Sequence, residues 1–219
     1  MSAPHRPGHV VTSDMVRFAA CFLALPLATA LWAQPPASSS SSKPPSHAKS
    51  PFPEAGAISA GVYHNSTFGF SYKVPYGWVD RTADMQDDSA DASKSRLLLA
   101  VFERPPEATG DTINSAVVIA AEPLPAGMKT AAEYFESLSA LTTAKGFERK
   151  EEPGEFSVGS TKLVRGHFSK ARGTLAMHQA SLVTLEKGYA ISFTFIGGSE
   201  DEVNELIEKL SFVSRKPAR

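Results

Sequence analysis

The sequence predicts an α+β domain, an antiparallel β-sheet flanked by two α-helices, and three observations predict it. Apolar runs of strand length follow one another through the second half of the chain with only short glycine-containing turns between them, and short turns make neighbouring strands antiparallel. Two segments instead repeat their apolar residues at helical spacing behind capping signals. Near the start, Phe68, Phe70, Tyr72 and Val74 alternate with small or polar residues, the period of a half-buried strand.

The elements follow in order. Val62 to His64 reads as a short strand, and Phe68 to Val74 as its partner, ended by Pro75 because proline cannot donate to a ladder. Gly77 lets the chain turn, and Trp78 is expected to fold its ring over the apolar core as a structural lock. "DRTADMQDDSADASKS" reads as a polar, acidic loop. "RLLLAVFE" and "SAVVIAAE" are continuous apolar runs, as central strands require. Thr130 and Glu133 have capping-box spacing, Tyr134, Phe135, Leu138 and Leu141 recur at helical intervals, and Gly146 stands where that helix ends. Strands then span Phe147 to Lys150 with a continuation near Phe156, Thr161 to Ser169, Thr174 to Glu186 and Gly188 to Ile196. Gly159-Ser160, the Lys170 to Gly173 region and Lys187-Gly188 supply the turns. The closing helix opens on Ser199 and Glu202, again with capping-box spacing, and carries one apolar stripe of Val203, Leu206, Ile207 and Leu210. Such a helix covers a sheet.

Ahead of the domain the composition changes. Arg17 precedes an apolar run from Phe18 to Leu31, too short for a comfortable span of ~20 residues, and small residues follow up to Ala33. Residues 1–33 read as a secretory signal peptide, with Met15 an alternative start and Ala33 or Ala30 as cleavage points. Cys21, the chain's one cysteine, lies too early in the apolar run for a lipid-attachment site. Removal of Arg6, Arg17 and Asp14 with this segment leaves 20 basic and 22 acidic residues, a net of −2 against −1 for the whole chain. The mature chain would hold no cysteine, hence no disulfide or thiol nucleophile, and no transmembrane span. Residues 34–60, rich in serine and proline, are expected to be a disordered linker or tether. The domain is expected over 61–214 and a tail over 215–219. The expected address is the periplasm or the exterior, with membrane tethering through an uncleaved N-terminal segment as the alternative.

The order of elements, opened by Pro75-x-Gly77-Trp78 and closed by "LSFV", resembles the PsbP-like fold. That fold is shared by the extrinsic PsbP subunit of photosystem II, a Ran-binding nuclear import factor, and exported bacterial DcrB-like and LpqN-like proteins, the last two being the nearest analogy. The resemblance spans roughly Val62 to Val213. It implies an accessory or binding role without catalysis, and it carries over no functional residue, since Pro75, Gly77 and Trp78 are architectural.

Other chemistry is thin. Asp80, Asp84, Asp87, Asp88 and Asp91 crowd one stretch, but without EF-hand spacing, a turn glycine or a closing glutamate. His167 and His178 fall on consecutive strands and, across a two-residue turn such as Arg172-Gly173, lie on one face nearly opposite each other. They are weak metal candidates, because zinc needs a further ligand and none is indicated. Asn65-Ser66-Thr67 matches a glycosylation acceptor. No nucleophile elbow, phosphate loop or dinucleotide fingerprint is present, the interspersed charges exclude a nucleic-acid footprint, and no cofactor is expected. The expected function is an exported, non-catalytic accessory or binding domain of the cell envelope, its partner an envelope protein or a small ligand. The alternatives are a small-molecule or lipid carrier, and a metal-dependent hydrolase using His167, His178 and the aspartates.

Overall fold

A computed structural model describes residues 53–87 and 95–213. The signal peptide, most of the expected linker, Asp88, Asp91 and the C-terminal tail lie outside the described residues. The chain forms two antiparallel sheets. The smaller has the order β1-β2-β3-β12, from Ala57–Ser59, Val62–Asn65, Phe70–Lys73 and Leu210–Phe212. The larger has the order β4-β5-β6-β11-β10-β9-β7, with β8 also pairing β9. Its strands are β4 Val79–Asp80, β5 Arg96–Phe102, β6 Ala116–Pro123, β7 Glu148–Arg149, β8 Gly154–Val158, β9 Thr161–Arg172, β10 Leu175–Glu186 and β11 Tyr189–Gly197. The helices are α1 Thr82–Asp87, α2 Ala131–Ala144 and α3 Glu200–Ile207. The α+β architecture is therefore as expected, but the antiparallel strands divide between two sheets.

The large sheet is buried on both faces, which is why β5 and β6 read as unbroken apolar runs. On one face Val101, Ile119, Leu182, Phe193 and Phe195 meet Tyr63, Phe70 and Tyr72 of the small sheet and Val203, Leu206 and Ile207 of α3. Phe70 and Phe193 meet edge to face with ring centres 5.2 Å apart. The other face holds Phe102, Ala116, Phe168, Met177 and Val183 against Tyr134 and Phe135 of α2. The protein thus has three layers, with α2 outside one face and the small sheet with α3 outside the other.

Local chemistry sets the element ends. The Thr130–Glu133 capping box is complete: Thr130 Oγ1 accepts from Glu133 N, and Glu133 Oε2 accepts from Thr130 N and Lys129 N. These backbone donors hold the Glu133 carboxyl below its usual range. At α3, Ser199 Oγ accepts from Glu202 N, but the return bond differs from a capping box. The Glu202 carboxylate accepts from Gly198 N and from the Ser115 hydroxyl, tying the helix start to the segment that leads into β6.

Five expectations are corrected. The serine- and proline-rich composition predicts a linker through residue 60, yet Ala57–Ser59 is a strand paired with β2. The acidic stretch after Asp80 opens with a helix, α1, rather than a loop. Leu141 is 63% exposed, while Ser139 and Thr142 face inward; the α2 stripe turns one position away from the one read from apolar residues alone. The closing helix ends at Ile207, and Leu210, assigned to its stripe, begins β12 opposite Tyr72. Finally, the β9–β10 turn is Gly173-Thr174, one residue later than expected, since Arg172 pairs with Leu175.

Candidate functional site

That shifted turn moves the two histidines. His167 pairs with Ala180 and His178 with Ser169, so they share a face as diagonal rather than opposed neighbours. Each faces its own carboxylate: His167 Nε2 is 3.5 Å from Glu151 in the β7–β8 connection, and His178 Nδ1 is 3.7 Å from Glu200 in the first turn of α3. Arg165, two residues before His167, donates to Asn204 of α3 and lays its guanidinium 4.8 Å above the Phe156 ring. Burial pushes the His167 imidazole below its ordinary value and the neighbouring Arg165 charge adds to this, against the opposing pull of Glu151 and Glu200. The two histidine–carboxylate contacts and the Arg165–Asn204 bond tie β9 and β10 to α3 and to the β7–β8 connection, and Glu151 and Glu200 act on His167 and Arg165 alike. Among the described residues, no three His, Cys, Asp or Glu side chains come together to hold a metal ion.

The aspartates also have local partners. Asp80 Oδ1 accepts from Thr82 N and Oγ1 at the start of α1, and Asp84 pairs with Arg81 at 3.0 Å. This explains α1. Beyond Asp80 no strand among the described residues lies beside the edge of β5, and α1 covers it with side chains: Thr82 Oγ1 accepts from Ala100 N and Gln86 Oε1 from Leu97 N. A covered edge cannot recruit another strand.

The Pro75–Trp78 segment is a tight turn, with Trp78 N donating to Pro75 O and Gly77 at φ 81°, a conformation that suits glycine. Trp78 is half-buried against the core between the two sheets, and Tyr76 at the tip is fully exposed. In the acceptor triplet Asn65 is only 2% exposed. Its Oδ1 accepts from Phe68 N, and its amide donates to the Tyr63 hydroxyl. The folded protein does not present this amide to a modifying enzyme.

Sequence reasoning does not find two clefts that the described residues form at the seams between the sheets. One, of about 350 Å³, lies between the β1 segment and the α1–β5 edge, with Tyr63, Gln86 and Arg96 among its walls. Arg96 Nε is buried without a hydrogen-bond partner among the described residues, and burial pushes the Tyr63 hydroxyl up to about 12. The other, of about 680 Å³, opens where the β2–β3, β8–β9 and β10–β11 turns meet the end of β12. Phe68, Ile191 and Phe212 form its apolar lining, and Thr161, Lys162 and Lys187 stand around it. Each cleft takes residues from several separate elements, and no local pattern announces that.

No family model matches this chain, and no curated protein matches it. Solved structures do. The chain is similar to cyanobacterial PsbP (CyanoP) from Synechocystis at 11% identity, covering 74% of this chain and 99% of that one with a TM-score of 0.48. It is also similar to LpqN of Mycobacterium tuberculosis, described as involved in cell envelope biogenesis, at 12% identity, covering 66% and 83% with a TM-score of 0.39. PsbP and an LpqN protein are thus among the similar structures, matching the resemblance read from the sequence, and at these identities the likeness concerns the fold alone. No helix among the described residues is long and apolar enough to cross a membrane.

Proposed function

We propose that this chain is an exported, non-catalytic binding domain, accessory to another component of the cell envelope and held on its serine- and proline-rich tether. The observation that carries the reading is the 680 Å³ cleft at the seam of the sandwich, within the range of small-ligand sites. Its lining joins apolar rings to hydroxyl and ammonium groups, a surface suited to recognition. The histidine and arginine cluster supports the non-catalytic part, because its contacts with Glu151, Glu200 and Asn204 fasten elements together. The same apolar lining favours a second reading, a small-molecule or lipid carrier.

A photo-crosslinking residue placed at Thr161, beside the cleft, tests both in the host cell, with a control at exposed Leu141 on the opposite layer. One discrete adduct from Thr161 and none from Leu141 is expected, and mass analysis tells an envelope protein from a small molecule. Equal labelling from the two positions, or a chain that fractionates with the cytosol, overturns the proposal.

A further inference from the structure

The β1 strand is held unusually. Its three residues are all exposed, so it brings no side chain of its own to the core. The groups that fasten this segment belong to β2. The Tyr63 hydroxyl donates to Ala55 O, and the Asn65 amide lies 3.4 Å from Glu54 O. Tyr63 and Asn65 are each 2% exposed beneath it. Gly56 completes the fit: at φ 82°, a Cβ there would stand 2.5 Å from His64 O and 2.7 Å from the Tyr63 hydroxyl. β2 therefore carries a specific receptor for one short strand.

The turn that joins this strand to its receptor is strained. Ala60 and Gly61 have φ values of 49° and 75°. The second suits glycine, but the first puts an alanine in the left-handed region, where Asn or Gly is the usual choice. β1 is also the N-terminal end of the described core, so no later part of the fold must be threaded for it to change partners. A terminal strand with a strained two-residue hinge has the ingredients of strand exchange.

We propose that β1 is an exchangeable strand, and that its second partner is β2 of another copy of this chain. In the exchanged pair every receptor contact is kept, because each lies between the β1 segment and β2. The two turns open, and the left-handed alanine relaxes. The interface is isologous and closes as a two-fold dimer. This goes beyond the binding role proposed above and does not depend on the cleft's ligand.

The test uses the full chain, made in its host, with Cys21→Ser and the pair Ala57→Cys and His64→Cys. Those two positions face each other in the ladder, and both are exposed. Exchange predicts disulfides that join two chains, in a fraction that grows with concentration. A chain that stays monomeric, or a dimer whose disulfides all close within one chain, overturns the proposal. Two hinge variants without the added cysteines give an independent readout. Ala60→Asn accepts the left-handed turn, and with two hinges relieved it should lower the dimerisation constant roughly tenfold or more. Ala60→Pro forbids positive φ and should raise the dimer fraction. Equal dimer fractions in the two variants overturn the proposal whether or not the disulfides form.

Discussion

The tip of the Phe135 ring meets Gly166. A Cβ built at Gly166 would stand 2.5 Å from Phe135 Cζ and 2.9 Å from Cε1. The glycine sits in the middle of β9, where glycine normally weakens a strand, and the ring it admits is fully buried and stacks on Phe168. This pair sets how closely α2 approaches the sheet.

Gly166→Ala should therefore destabilise the protein by about 1–3 kcal/mol, the usual range for an overpacked core. Denaturant midpoints measure it. Combining it with Phe135→Leu, itself destabilising, should cost less than the sum of the two changes, because the shorter side chain vacates the space. Strict additivity would mean that the two do not set the spacing.

The His167 ring predicts a pH dependence. Charged or titratable groups face it from each neighbouring element: Arg165 on its own strand, His178 on β10, Glu151 in the β7–β8 connection and Glu200 on α3. Its folded value lies below the ordinary 6.5, chiefly through burial and then through Arg165. Protonation thus favours the unfolded chain, so the stability it contributes is present above 6.5 and is lost as pH falls through the folded value. Melting temperatures between pH 7.5 and 5 should fall more steeply for the wild type than for His167→Gln. Parallel slopes would contradict the assignment.

Glu202 should matter more than a surface acid. Its carboxylate serves the Ser115 hydroxyl and Gly198 N together. Glu202→Ala should cost about 1–2 kcal/mol, the range of lost helix caps, whereas Glu205→Ala on the outer side should change stability by under ~0.5 kcal/mol.

Much of this fold was legible in the sequence, for local reasons. Strands β5, β6, β10 and β11 announce themselves through apolar runs, and α2 and α3 through caps and period. The rest depends on contacts between separate elements, which local period does not encode. β1 shows no alternation because Tyr63 and Asn65 hold its segment from outside. α1 looks like an acidic loop because its task is to lend Thr82 and Gln86 to the edge of β5. Ser139 and Thr142 add nothing to an apolar stripe, yet both are buried, and Thr142 satisfies its hydroxyl on Leu138 O one turn back. Strand spacing puts the histidines on one face, but their carboxylate partners come from a loop and a helix that no spacing rule connects to them.

Limited proteolysis should leave a stable fragment beginning at or before Gly56, not at Gly61. A chain lacking residues 1–60 should unfold more easily than one lacking 1–52, because Tyr63 and Asn65 then lose their carbonyl partners. Equal stability would show that the β1 segment adds nothing to the fold.

Trp78 and Tyr76 share one turn and divide its duties. Trp78 packs against the core only in part, so Trp78→Ala should cost about 1–3 kcal/mol, less than the ~3–5 kcal/mol of a fully buried ring. Gly77 has open space where a Cβ would go, and its φ of 81° alone resists a side chain. Gly77→Ala should therefore cost about 1–2 kcal/mol from backbone strain, and Gly77→Asn less. Tyr76 touches nothing that its removal would disturb, and Tyr76→Ser should leave the midpoint within ~0.5 kcal/mol of wild type. Trp78 fluorescence, read in a Trp32→Phe chain, should be quenched by acrylamide to an intermediate degree. If Trp78→Ala left the midpoint unmoved while the crosslink at Thr161 persisted, the ring would be displayed rather than locking the two sheets, and the turn would have to be reassigned from architecture to recognition.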